Sequence, residues 1–155
     1  MAANGDNPGV IILPPVLLAL TITAALVLHW LVPLPIPDRT VALAVGIALF
    51  VVGAALAVWG KKIMEAAGTN VLPTQPTTAI VSAGPFRFTR NPLYIGLGLV
   101  LLGVTIGWGT WWGFIALVPA ALVLHYGVVL REERYLERKF GAAYLDYKGK
   151  VRRYL

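Results

Sequence analysis

The chain contains no cysteine and only two histidines, His29 and His125. The absence of cysteine excludes a disulfide framework and thiolate metal sites, and two histidines do not favour a histidine-rich metal centre. We therefore expect no metal site. Charge is also scarce, because 13% of the 155 residues are Asp, Glu, Lys or Arg, against roughly 25% in an ordinary soluble domain. With 58% hydrophobic residues, the chain is predicted to be an integral membrane protein with a single domain, residues 1–155.

Four windows of the sequence contain no Asp, Glu, Lys or Arg: residues 10–32, 40–60, 92–108 and 111–130. Each has about the length that a helix needs to cross the hydrocarbon core of a bilayer, roughly 17–25 residues. Pro14 and Pro15 lie near the start of the first window and are compatible with a later helix start there. We predict an all-α fold, an integral membrane bundle of four transmembrane helices followed by an amphipathic helix on the cytoplasmic side.

Lys and Arg are concentrated in two connecting segments. The loop 61–91 contains four of them and the tail 131–155 contains eight, whereas Arg39 stands alone between the first two windows. By the positive-inside rule, this loop, this tail and the N-terminus are cytoplasmic. The net charge of +6 is therefore interpreted as a topology and anionic-lipid signal, and nucleic-acid binding is not expected.

The stretch "SAGPFRFTRNPLYIG", residues 82–96, combines basic and aromatic side chains directly before the third window. Asn91 and Pro92 are favoured at the first positions of a helix, so the third helix should begin there. Free backbone N–H groups at a helix start, together with Arg87 and Arg90, favour an anionic ligand group. Phe86 and Phe88 could provide the walls of a pocket. The alternative is that these residues are ordinary anchors at the membrane interface.

The tail contains apolar and aromatic residues at the spacing of one helix face: Leu136, Phe140, Tyr144, Tyr147 and Val151. This spacing predicts an amphipathic helix that lies on the cytoplasmic membrane surface or folds back over the bundle, with a possible interruption at Gly141. Glu132 and Glu133 stand where the fourth span should leave the hydrocarbon. Two carboxylates at such a boundary need partners or a ligand, and pairing with nearby arginines on a solvated face is the simpler alternative.

The segments "IVSAGPFRFTRNPLYIG" and "EERYLERKFGAAYLDYKGKV", in this order, resemble the isoprenylcysteine carboxyl methyltransferase family of integral membrane methyltransferases, which is related to the phospholipid N-methyltransferases. The resemblance covers residues 79–151, and "AGTNVLP" before it is similar to bacterial members. It implies S-adenosylmethionine as cofactor and methyl transfer to a lipophilic small molecule or lipid, on a carboxylate, amine or thiol. It also implies a location in the bacterial inner membrane.

The resemblance implies a set of cofactor-binding residues: Val81, Ser82, Gly84, Phe86, Arg90, Asn91, Tyr94 and Glu132. Arg90, Glu133 and His125 are the expected catalytic residues. One of the two glutamates would hold the cofactor, and the other, with Arg87 or His125, would orient the acceptor. Asn91 replaces a histidine of many family members and cannot titrate, which excludes a histidine base there. Val128 stands where eukaryotic members carry an arginine, so recognition of a prenylcysteine carboxylate is not implied.

His125 precedes Glu132 by seven residues, or two helical turns, and would lie on the same helix face. A histidine that is simply satisfied inside the bundle is the alternative at this position. Two other functions remain open at the level of the whole chain. One is an NADPH-dependent membrane reductase with a similar C-terminal region, and the other is a non-enzymatic membrane subunit. The sequence predicts no particular oligomeric state.

Overall fold

A computed structural model describes residues 6–154, which form six α-helices in chain order. These are α1 (Pro14–Leu31), α2 (Arg39–Ala66), α3 (Pro92–Trp108), α4 (Trp112–Leu124), α5 (Leu130–Phe140) and α6 (Ala142–Lys150). A short 3-10 helix, Gly84–Arg87, precedes α3, and a π-helix, His125–Val129, joins α4 to α5 without a break. Residues 6–154 contain two isolated β-bridges and no strand, so the all-helical prediction is confirmed.

Three helices are long and apolar enough to cross a membrane: α1, α2 and the continuous helix Trp112–Phe140. The fourth apolar helix, α3, has 17 residues and is shorter. Large apolar side chains on the outer surface, such as Phe50, Val58 and Ile115, are about half exposed. Since a lipid solvent accepts such side chains, the chain is an integral membrane protein with a helical bundle.

Three helix ends differ from the predicted ones by four residues or more, and the others lie within one residue of the prediction. The first helix begins at Pro14, after four residues of the predicted window. The second continues to Ala66, because Lys61 and Lys62 end the apolar window without ending the helix, and Lys61 pairs with Glu65 one turn later at 3.6 Å. The fourth does not end at residue 130 but continues to Phe140.

The helices α2 and α3 touch through their backbones. A Cβ atom on Gly53 would lie 2.6 Å from the carbonyl oxygen of Gly96, and one on Gly103 would lie 2.5 Å from the amide nitrogen of Phe50. A Cβ atom on Gly46, nearer the start of α2, would likewise meet the backbone of Gly107 in α3. Small residues allow such close packing where lipid supplies no hydrophobic driving force between helices. The helix α1 packs on α3 and α4 to complete the bundle.

The two ends of the bundle are built differently. At one end the connections 32–38 and 109–111 pair, since Ile36 N–H donates to the Gly109 carbonyl at 2.8 Å and Trp111 N–H to the Leu34 carbonyl at 3.0 Å. Asp38 caps α2 by accepting from two backbone N–H groups. The opposite end carries the segment 67–91, α5, α6 and residues 151–154, where most Lys and Arg residues lie. The candidate site lies at this second end.

Candidate functional site

A cleft opens between the segment 69–81, the start of α3 and the helices α5 and α6. Six predicted cofactor residues line it: Val81, Phe86, Arg90, Asn91, Tyr94 and Glu132. Its volume is about 120 Å³, smaller than the roughly 300–1,000 Å³ typical of ligand sites. The structure therefore brings these six residues together, and a ligand of cofactor size requires part of the wall to move outward.

Arg90 is a cation in the wall of this cleft. Its side chain is 8% exposed, and its Nη2 lies 3.1 Å from Glu133 Oε1. Its Nε and Nη1 atoms are buried and have no hydrogen-bond partner among residues 6–154. Buried donors of a charged group are costly to leave unpaired. An anionic ligand group would satisfy them, so the site has the donor set for a carboxylate.

Glu133 is held by three cations. Arg153 donates from Nε to Oε1 at 2.9 Å and from Nη2 to Oε2 at 2.8 Å. Arg90 and Lys148 complete the cluster, the latter with its Nζ 3.9 Å from Oε2. The carboxylate is 7% exposed and is not part of the cleft lining. The partners that a carboxylate at this depth requires are therefore protein cations.

Tyr94 joins the cleft to a second cavity. Its hydroxyl donates to Glu132 Oε1 at 2.6 Å, and both residues line the cleft. Tyr94 also lines a cavity of about 290 Å³ between α1, α3 and α4, whose walls are mostly apolar side chains such as Leu17 and Leu101. We call this space the lipid-facing cavity. One side chain thus borders both a polar cleft and an apolar cavity within the bundle.

Asn91 occupies the N-cap position of α3, as expected, but its side chain does not cap the helix. Its Nδ2 donates to the carbonyl of Arg153 at 2.9 Å, and the Thr89 hydroxyl donates to the same carbonyl at 3.0 Å. The Arg90 N–H donates to the carbonyl of Arg152 at 2.9 Å. Residues 151–154, which we call the strap, are therefore bound along the residues that precede α3.

The aromatic face of the tail forms part of the cleft wall. Leu136, Tyr144 and Tyr147 line the cleft, so the tail folds back over the bundle, and Gly141 breaks it with a φ of 53° as predicted. The Tyr147 hydroxyl donates to the Phe86 carbonyl at 2.8 Å. Burial raises the pKa of Tyr147 to about 12, which keeps the phenol in its donating form. The helical spacing of the tail aromatics was the signal for this wall.

Other contacts of the cleft left no signal in the sequence. Tyr135, outside that face, accepts from the Thr77 N–H at 3.2 Å and donates to Asp6 Oδ1 at 2.8 Å. It thereby ties the segment 69–81 and the N-terminal residues to α5. Arg153, which neutralises Glu133, was likewise not identified, since nothing local distinguishes it from its neighbour Arg152.

Several predicted site residues lie away from the cleft lining. Ser82 is exposed, and Gly84 begins the 3-10 helix with a φ of 56°. Glu133 faces the cation cluster described above. His125 lies in the π-helix, where its Nδ1 shares a hydrogen bond of 2.8 Å with the Tyr154 hydroxyl. Residues 6–154 contain no group of three or more His, Asp or Glu side chains that could hold a metal ion.

Comparison with known proteins identifies the family. The family model described as phospholipid methyltransferase matches residues 41–143. A protein of Haemophilus influenzae described as uncharacterized is 41% identical over 63 residues, which are 41% of this chain and 100% of that protein. No solved structure matches the chain significantly. The chain therefore belongs to the phospholipid methyltransferase family of integral membrane methyltransferases, which is related to the isoprenylcysteine carboxyl methyltransferases.

Proposed function

We propose that the protein transfers a methyl group from S-adenosylmethionine to a lipophilic small molecule or lipid at the cytoplasmic face of the membrane. Family membership implies methyltransferase activity. The observation that carries the cofactor assignment is Arg90, a buried arginine with two donors lacking any partner in residues 6–154, at the wall of a cleft. Of common methyl donors, S-adenosylmethionine has a carboxylate for such donors and a purine for aromatic and apolar walls.

The cleft residues fit the parts of this cofactor. Arg90 and the free N–H groups at the start of α3 suit its carboxylate. Glu132 provides a carboxyl oxygen for its ammonium group, and the side chains of Val81, Phe86 and Tyr147 provide apolar walls for the adenine. Ser82 and Gly84 belong to the same backbone segment as Val81 and Phe86, and we assign them the role of shaping that segment.

The cofactor supplies an electrophilic methyl group on a sulfonium, so the protein needs to align the acceptor and exclude water. Alignment alone can contribute several kcal/mol to catalysis. Arg90 would contact the cofactor directly, and Glu133 would hold Arg90 in place. Asn91 has no titrating group, and among the described residues the carboxyl group that lines the cleft is that of Glu132, which accepts a hydrogen bond from the Tyr94 hydroxyl.

The acceptor is proposed to enter through the lipid-facing cavity. Its apolar walls suit a hydrocarbon chain, and Tyr94 at its border lies next to Glu132 and the cleft. His125 is connected to this cavity through Tyr154, which lines it. We assign His125 the task of holding Tyr154 where the polar group of the acceptor would arrive. Carboxylate, amine and thiol acceptors are all compatible with this arrangement.

The topology that we propose has four membrane spans with cytoplasmic termini in a bacterial inner membrane. Although α3 is short, its backbone contacts along α2, with which it runs antiparallel, support a membrane crossing beside that helix. The loop 61–91 and the tail contain twelve of the thirteen Lys and Arg residues, four plus eight, which supports their cytoplasmic location. The exposed Trp30, Trp108 and Trp111 lie at the opposite end, as interfacial tryptophans do.

A binding experiment separates this proposal from its alternatives, of which the reductase is not favoured by the family. Detergent-solubilised protein is titrated calorimetrically with S-adenosylhomocysteine and, separately, with NADPH. We expect saturable binding of S-adenosylhomocysteine and none of NADPH. The opposite pattern would indicate a reductase. Folded protein that binds neither would contradict the cofactor assignment and favour a non-enzymatic subunit.

A further inference from the structure

The strap, residues 151–154, is bound to the candidate site by hydrogen bonds from its backbone and its side chains and by an ion pair. Its backbone accepts hydrogen bonds from the Arg90 N–H, the Thr89 hydroxyl and the Asn91 amide, as described above. Its side chains reach Glu133 and His125. These contacts join the strap to three separate parts of the sequence: the residues that precede α3, the π-helix and the start of α5. Such a segment can set the geometry of the site as well as cover it.

Arg153 pairs with both oxygens of the Glu133 carboxylate. Its two parallel hydrogen bonds, 2.9 and 2.8 Å long, use both carboxylate oxygens. This bidentate geometry fixes the plane of the carboxylate. Arg90 then meets Glu133 through Nη2 alone, at 3.1 Å, and its Nε and Nη1 remain without a partner in residues 6–154. A carboxylate released from Arg153 could instead pair with two donors of Arg90.

We propose that Arg153 is a positioning residue for the cofactor: by engaging Glu133 bidentately, it prevents Glu133 from occupying the Arg90 donors that bind the cofactor carboxylate. This inference rests on the proposed function, and it adds a residue outside the matched family region 41–143. Arg153 acts through Glu133 and is not part of the cleft lining. Its loss should therefore affect recognition of the amino-acid end of the cofactor and leave recognition of the nucleoside unchanged.

The neighbouring Arg152 provides a matched control. It carries the same charge and belongs to the same strap, but its side chain is exposed and its contact with the site is made by its backbone carbonyl. Arg152→Ala keeps that carbonyl. Differences between the Arg153→Ala and Arg152→Ala proteins therefore report on the contact with Glu133 and not on net charge or on the presence of the strap.

The test measures the affinity of each full-length variant for two probes by calorimetry. S-adenosylhomocysteine carries the amino-acid moiety, and 5′-methylthioadenosine has the same nucleoside thioether without it. We expect Arg153→Ala to weaken S-adenosylhomocysteine binding about tenfold or more, as for a charged hydrogen bond, with binding of 5′-methylthioadenosine unchanged. Arg152→Ala should leave both affinities at the wild-type value.

The outcomes distinguish this inference from the proposed function. If wild-type protein does not bind S-adenosylhomocysteine, the proposed function fails. If it binds but Arg153→Ala binds equally well, or loses affinity for both probes to the same extent, Arg153 is not a positioning residue and the inference is overturned. Should Arg153→Ala not fold, Arg153→Lys keeps the charge without the bidentate geometry. We expect it to show the same selective loss, and wild-type affinity would overturn the inference.

Discussion

Glu133→Gln is the substitution that most directly probes the electrostatics of the site. It changes one oxygen to an amide and removes one negative charge at almost unchanged volume. In the wild-type protein this charge is shared by Arg90, Arg153 and Lys148. The variant leaves three cations around a neutral side chain, so its stability measures what the carboxylate contributes.

The solvent exposure of the three cations determines how much stability the Glu133→Gln protein should lose. Arg153 and Lys148 are 33% and 34% exposed, so both can regain hydration when Glu133 is neutralised. Arg90 is 8% exposed and cannot. Removing one partner of a buried ion pair costs about 3–5 kcal/mol. Because one buried cation is left and the amide oxygen can still accept a hydrogen bond, we expect a loss near the lower limit, about 3 kcal/mol.

The measurement is the free energy of unfolding of purified protein in mixed micelles of rising denaturing-detergent content. Glu137→Gln, one helical turn later, is the control. Glu137 pairs with Lys148, and both side chains are about one-third exposed, so we expect a loss below about 1 kcal/mol. Equal unfolding free energies for Glu133→Gln and the wild-type protein would refute the reasoning that Glu133 neutralises a buried arginine.

Three further predictions concern packing, topology and motion. Gly103→Ala should lower the free energy of unfolding by about 1–3 kcal/mol by overpacking, because the added Cβ would meet the backbone of α2. Gly98→Ala is the control, since its added Cβ would lie 3.9 Å from the nearest atom, and it should unfold like the wild-type protein. Equal losses for the two variants would contradict the packing argument. The chain lacks cysteine, so a single introduced cysteine can be labelled specifically. Ser82→Cys should react with a membrane-impermeant thiol reagent from the cytoplasmic side alone, and Pro37→Cys should react from the other side alone. The reverse labelling would contradict the proposed topology. Hydrogen exchange in residues 69–81 should slow when S-adenosylhomocysteine binds in a widened cleft, and unchanged exchange would place the ligand elsewhere.

Local signals in the sequence predicted the helices well. The pair Asn91–Pro92 predicted the start of α3 at the residue where it begins, because the first turn of a helix has strong local preferences. The end of α2 was not predicted, since a charged residue ends an apolar window and can still continue a helix into water. The same reason applies to the continuous helix that passes residue 130.

The arrangement of the site depended on information that local patterns do not contain. The π-helix His125–Val129 adds residues to a turn and shifts the helix face, so an argument from seven-residue spacing could not place His125 relative to Glu132. His125 pairs with Tyr154 and Glu132 with Tyr94. The sequence indicated that Glu132 and Glu133 need partners. It did not indicate that Arg153 is the partner of Glu133, because that contact depends on how the strap folds back onto α5.

The measurement that tests the central claim most directly is the affinity of Arg90 variants for S-adenosylhomocysteine. Arg90→Ala removes the donors proposed to hold the cofactor carboxylate, and Arg87→Ala removes an exposed arginine from the same segment. Calorimetric titration should show a loss of about tenfold to a hundredfold for Arg90→Ala, as for a charged hydrogen bond, and wild-type affinity for Arg87→Ala. Wild-type affinity in a folded Arg90→Ala protein would contradict the account.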